Sequence, residues 1–203
     1  GPAAAFTLLG AIAVATVMVA LVHGQALAGI GLVGSYLTPM LVASNAPNPW
    51  ALFVYLAIVL AATAGVASIR RWKALAAAAY IGAGLWSVAY LMLTPVAVAE
   101  PVAFLHLVGL AMIAVVWLPR TTDGDSGKLD LPTAVAGVMT AVVTTVLVRD
   151  LHEQASARLL AAILLAAMIA AATWKPRAIA LLHAAGAAVG VIVLRDFVDG
   201  CYQ

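Results

Sequence analysis

His106 and His183 are the two ionisable side chains that lie inside this chain's long apolar runs. An ionisable group in hydrocarbon is costly, so such a residue is a functional candidate by default. Neither histidine has a carboxylate within its own run, and a proton-coupled carrier or pump would place an Asp, a Glu or a histidine chain at mid-membrane. Ion coupling is therefore disfavoured, and the plain expectation is a neutral imidazole hydrogen-bonded to a carbonyl. A second candidate group is Tyr36, Thr38 and Pro39. Pro39 lacks a backbone N–H and should open a carbonyl near Ser35 and Tyr36. A freed backbone group within a membrane must be satisfied by protein or water, and Tyr36 and Thr38 are the local side chains able to help. A helix broken in this way can line a transport site; a structural kink is the simpler reading. The third group is a repeated pair, Arg149-Asp150 and Arg195-Asp196, each closing an apolar run. Arginine at a helix C-terminus meets the dipole and snorkels to the headgroups. The sharper alternative has both pairs converge, with Glu100 and Glu153, on an outer vestibule that holds a lipid headgroup or a glycan-linked lipid.

Other chemistries fail on spacing. His152-Glu153 is not followed by a histidine one helical turn on, since position 156 is Ser156, so no zinc site of the H-E-x-x-H type is implied. No serine sits in a G-x-S-x-G elbow. The 123–130 loop, DGDSGKLD, lacks the alternating acceptors and distant glutamate of a calcium loop. Gly29, Gly31 and Gly34 spell G-x-G-x-x-G, but no strand precedes them and no acidic residue follows at the required distance, so no dinucleotide is expected. The chain reads as a non-enzyme with no cofactor and no metal. A net charge of +2 leaves no nucleic-acid footprint. The single cysteine, Cys201, excludes an internal disulfide.

Composition names the elements that must position these residues. Hydrophobic residues make up 66% and charged residues 9%, against about 45–50% and about 25% in water-soluble domains; mean hydropathy is +1.12. A helix crosses the hydrocarbon in about 20 residues, and the short alternating segments of a barrel are missing. The expected fold is all-α, a polytopic transmembrane helix bundle of about eight segments: 3–22, 25–44, 50–69, 74–93, 102–118, 131–148, 159–174 and 178–194. The second is Gly- and Pro-broken and could be re-entrant rather than crossing. The last three are short enough for a thin or pinched bilayer.

Basic residues orient these segments, because Lys and Arg favour cytoplasmic loops. Arg70, Arg71, Lys73, Arg120, Lys128, Lys175 and Arg177 follow the third, fifth and seventh segments. The alternate loops hold only Arg149 and Arg158, and the tail holds Arg195. Loops 70–73, 119–130 and 175–177 are therefore expected in the cytoplasm. Trp50 stands where an interfacial aromatic would sit.

The stretch GIGLVGSYLTPMLVASNAPNPWALFVYLAIV, followed by RRW and then GLWSVAYL, resembles the bacterial polytopic membrane proteins grouped as the domain of unknown function 2339 family. The matching pieces are Gly34, Tyr36, Leu37, Thr38, Pro39, Asn48, Pro49, Arg70, Arg71 and Trp72. Ser35 stands where a glycine or another small residue is expected. The likeness covers mainly residues 3–93 and fades to general hydrophobicity beyond. It implies a long multi-pass protein of the bacterial inner membrane and carries no reaction with it. Since family members are longer and the chain opens Gly-Pro without a methionine, a fragment of a longer protein is expected.

Packing expectations rest on small residues, which let helix backbones approach in a membrane. Gly29, Gly31, Gly34 and Ser35 are read as one contact face, and Gly186 with Gly190, a GxxxG pair, as another. The whole chain is read as one helical domain, with 1–93 the family-like half and 94–203 two hairpins whose Arg-Asp ends suggest kinship. The favoured role is a structural or assembly bundle that contacts membrane lipids, further helices of its own chain or a membrane protein complex. The alternative is binding or transport of an amphiphilic envelope substrate, for which Tyr36, Thr38, His106 and His183 should line one water-accessible cavity.

Overall fold

The computed structural model describes residues 24–41, 48–120, 130–151, 154–174 and 179–201; the side chains of residues 120 and 194–201 lie outside that description. Seven helices make up the described fold: α1 (Gln25–Leu41), α2 (Pro49–Arg70), α3 (Lys73–Leu93), α4 (Ala99–Ala111), α5 (Leu131–Asp150), α6 (Ala155–Trp174) and α7 (Ile179–Cys201). A π turn, Met112–Trp117, and a 3-10 turn, Leu118–Arg120, continue α4. The expected segment 3–22 lies outside the described residues. Five helices are long and apolar enough to cross a membrane: Pro49–Arg70, Lys73–Leu93, Ala99–Trp117, Leu131–Asp150 and Ala155–Trp174. The all-α membrane architecture is as read.

Several boundaries move for physical reasons. The last three helices were expected to be short, yet α5 and α6 each have 20 residues and α7 has 23. Charges end an apolar run without ending a helix, so Arg149 and Asp150 form the last turn of α5. The described part of α1 has 17 residues, Gln25–Leu41, and residues 42–47 lie outside the description. Helix starts follow their caps. Asn48 Oδ1 accepts from Trp50 N at 3.0 Å and Ala51 N at 3.4 Å, and Pro49 follows at the first helical position, where its missing N–H costs nothing. Asp130 caps α5 in the same manner through Thr133 N.

The helices form two rows. Within the odd row α3 packs on α5 and α5 on α7, the two most extensive contacts; within the even row α2 packs on α4 and α4 on α6. Contacts α2 to α3, α5 to α6 and α6 to α7 stitch the rows together, and among the described residues α1 rests on α2 and α3 with far less contact. Successive spans joined by short turns reverse direction, so members of one row run parallel. The shared core is built largely of alanine, including Ala67, Ala76, Ala79 and Ala99, all fully buried, with Phe53, Leu56, Leu105, Ile113 and Leu164 filling the space between. Lipid is as apolar as leucine, so close packing rather than water exclusion must hold such helices together.

Close packing is concentrated at glycines other than those expected. A Cβ added at Gly84 on α3 would lie 2.6 Å from Met139 Sδ and 2.9 Å from Met139 Cβ on α5. One at Gly137 on α5 would meet Leu181 at 3.1 Å and Ala184 at 3.2 Å on α7, and one at Gly82 would meet the Tyr36 ring at 2.5 Å. At Gly29, Gly34, Gly186 and Gly190 an added Cβ meets no described residue within 4 Å. Among the described residues these glycines do not make the close contacts; each helix turns a different side to its neighbours, and spacing along the chain does not reveal which. The Ser35 hydroxyl donates to Gly31 O at 2.8 Å, a bond within α1 rather than across helices.

Two ends of the bundle are pinned by side chains. At one, Tyr90 Oη accepts from Val98 N at 3.0 Å and the Tyr90 ring meets Phe53 edge-on at 5.1 Å. There the Gln154 amide also donates to Ala97 O at 3.4 Å, which holds the α5–α6 turn against the α3–α4 turn. At the other end Trp117 Nε1 donates to Asp130 Oδ2 at 2.7 Å, so the capping carboxylate of α5 also anchors α4.

Candidate functional site: a histidine junction and a proline clamp

Ser87 on α3, His106 on α4 and Thr140 on α5 are hydroxyl or imidazole groups placed in otherwise apolar spans, and the two-row packing brings them together. All three are buried. His106 Nε2 lies 3.1 Å from Ser87 Oγ, and His106 Nδ1 lies 3.2 Å from Thr140 Oγ1. The Ser87 hydroxyl already donates to Ala83 O at 2.9 Å, so it must accept from the imidazole. In a neutral imidazole this puts the proton on Nε2 and leaves Nδ1 to accept from Thr140. A directional chain results, Thr140 to His106 to Ser87 to the Ala83 carbonyl, tying three helices at one level. The partners of the imidazole are two hydroxyls from neighbouring helices instead of the expected carbonyl.

One turn further along α4 the Tyr80 hydroxyl donates to Gly109 O at 3.1 Å. Met112 N also bonds to the Gly109 and Val108 carbonyls, and the α-helix gives way to the π turn at this residue. A side chain bonded into the helical ladder is one of the recognised causes of such an irregularity. Beside this junction Leu60, Tyr80, His106, Met139 and Thr140 help to line a cavity of about 10 Å³, room for a single water at most. Thr140→Val should leave Nδ1 buried without a donor and lower stability by ~1–3 kcal/mol. In a His106→Leu background the same change should cost little; equal costs in both backgrounds, measured by thermal unfolding in detergent, would remove the directional chain.

The second cluster surrounds Pro39. The carbonyl four residues back, Ser35 O, accepts from the Tyr55 hydroxyl of α2 at 2.9 Å. Its neighbour Tyr36 O accepts from Trp86 Nε1 of α3 at 2.9 Å, and the Tyr36 hydroxyl donates to Ala79 O of α3 at 2.7 Å. Proline therefore opens the carbonyl where the sequence indicated, but the partners come from other helices. Thr38 donates to Gly34 O at 2.8 Å, within α1. Three bonds between helices clamp α1 onto α2 and α3.

The remaining candidates do not join either cluster. His183 is exposed on α7. Arg149 Nε lies 3.6 Å from its neighbour Asp150, with the Arg149 side chain 64% exposed, a geometry worth little in free energy. The side chains of Arg195 and Asp196, and residue Glu153, lie outside the described part of the chain. Sequence reasoning missed Tyr55, Tyr80, Trp86, Ser87 and Thr140. Their signal was available in principle, as single hydroxyl or indole groups inside apolar spans, but each is common enough in membrane helices to pass as local back-bonding.

A family model described as a predicted membrane protein, DUF2339, matches residues 1–196. The chain belongs to the DUF2339 family. The match runs beyond Leu93 into α4 to α7, so the matched residues cover the histidine junction as well as the proline clamp. No curated protein and no solved structure matches the chain.

Proposed function

We propose that this DUF2339 chain is a structural helix bundle of the bacterial inner membrane, which assembles with further helices of its own protein or with a membrane complex and catalyses no reaction. The observation that carries this reading is the use made of the polar groups within the bundle. Tyr36, Tyr55, Tyr80, Trp86, Ser87, His106 and Thr140 each bond to another helix, and the cavity beside Tyr80, His106 and Thr140 has about 10 Å³. Groups committed to internal bonds hold helices in register and are not offered to a substrate. The transport reading required Tyr36, Thr38, His106 and His183 to share a cavity, and His183 stands exposed on α7 instead.

The experiment is gentle extraction from the native membrane followed by cross-linking and native mass spectrometry. A stoichiometric protein partner supports the assembly role. A defined amphiphile whose retention depends on Tyr36 or Thr38 would replace it with the binding role. The same reading places loops 70–73, 119–130 and 175–177 in the cytoplasm, on the basic asymmetry of the sequence. Single cysteines introduced at Arg71 and at Val96 in a Cys201→Ser background should label from opposite sides of the membrane; labelling from one side would undo the topology.

A further inference from the structure

The turn between α2 and α3 combines a charge cluster with a backbone anomaly. Arg71 adopts φ 56, ψ 35, the left-handed region, and is the single non-glycine residue with positive φ among the described residues. This position closes α2: Arg71 N and Trp72 N both return to Ala67 O, the latter at 2.9 Å. Glycine is the residue that takes up such a conformation without steric cost, and a bulky side chain there is uncommon. The turn thus carries an arginine where the backbone would prefer none, and observed strain of this sort is a pointer to function. Arg70 precedes it, exposed, and Lys73 opens α3, half-buried. Three cations sit within four residues.

Depth identifies what faces them. α2 has 22 residues, about 33 Å at 1.5 Å per residue, close to the hydrocarbon thickness of about 30 Å. Its far end carries Trp50, 47% exposed, and its near end carries Ile69, 64% exposed, immediately before Arg70. The boundary between lipid-facing apolar surface and cation therefore falls at Ile69–Arg70, and Trp72 packs partly against the core to hold the turn at that level. Cations at this depth meet the phosphate layer of the bilayer. We propose that Arg70, Arg71 and Lys73 form a binding surface for the phosphate of an anionic lipid headgroup, with Arg71 retained in its unfavourable conformation for its charge. The proposal is independent of the assembly role, since it concerns the rim of α2 and α3 and not the junction within.

Arg71→Gly separates the backbone from the charge. Glycine suits the left-handed turn, so this variant should fold with an unchanged or raised thermal midpoint while losing one cation, a loss of about fivefold in anionic-lipid retention. The probe is the full chain in nanodiscs of phosphatidylcholine doped with phosphatidylglycerol, read by native mass spectrometry of retained lipid. Enrichment of phosphatidylglycerol over phosphatidylcholine, weakened in Arg71→Gly and abolished in Arg70→Gln/Arg71→Gln/Lys73→Gln, establishes the site. Equal retention of both lipids, or undiminished enrichment in the triple variant, overturns it. Displacement of the lipid by millimolar inorganic phosphate also overturns it, by assigning the cations to a soluble anion.

Discussion

Replacing Gly84 with valine is expected to split the contact between α3 and α5 and to abolish stable expression of the bundle. Even the single methyl of Gly84→Ala enters space held by Met139. The Sδ atom at the flexible end could swing away, but Met139 Cβ, 2.9 Å from the added carbon, is fixed to the α5 backbone. Relief must come from separating two helices whose contact is among the most extensive in the molecule. Overpacking of this kind costs ~1–3 kcal/mol, and a β-branched side chain exceeds the alanine value because it cannot rotate out of the contact. Gly34→Leu is the paired control. With no described residue within 4 Å of its added Cβ, it should change stability by no more than about 0.5 kcal/mol. Thermal or denaturant unfolding of both variants in detergent decides the matter: a tolerant Gly84 or an intolerant Gly34 would mean that the helix faces are assigned wrongly.

The second large effect is expected at the proline clamp, and it takes the form of a coupling. Tyr55→Phe removes the donor to Ser35 O and should destabilise by ~1–3 kcal/mol, because Pro39 supplies no backbone N–H to take its place. In a Pro39→Ala background the residue at 39 regains its N–H and can bond Ser35 O along the helix. There Tyr55→Phe should cost at most a few tenths of a kcal/mol through this bond. A double-mutant cycle measures the difference and cancels whatever else the hydroxyl contributes at its own site. Trp86→Phe tests the neighbouring carbonyl of Tyr36 by the same logic. A cycle with no coupling would show that the Tyr55 bond is incidental to the proline.

Both predictions bear on how α1 is held. Among the described residues α1 makes few contacts with α2 and α3, so its three hydrogen bonds carry a larger share of its attachment to those two helices than such bonds would for α5. In hydrocarbon the alternative to each bond is an unsatisfied polar group, and water is not at hand to replace it. Loss of the clamp is therefore expected as protease or labelling access to α1 before any change in the α3–α5 contact.

The sequence by itself determined the all-α membrane class, the spans from α2 to α6, the membership of the family and the chemical consequence of Pro39. Each rests on a property that is local or additive along the chain: apolar length set against bilayer thickness, the cap at Asn48-Pro49, the missing N–H of a proline. Tertiary structure alone decided who answers whom. That Ser35 O is met by Tyr55 and Tyr36 O by Trp86, and that His106 is bracketed by Ser87 and Thr140, depends on which face each helix turns inward. In a soluble helix that face is marked by apolar periodicity, but a membrane helix is apolar toward core and lipid alike. Gly34 and Gly84 consequently look equivalent in the sequence, and only packing shows that one meets no described neighbour and the other a methionine.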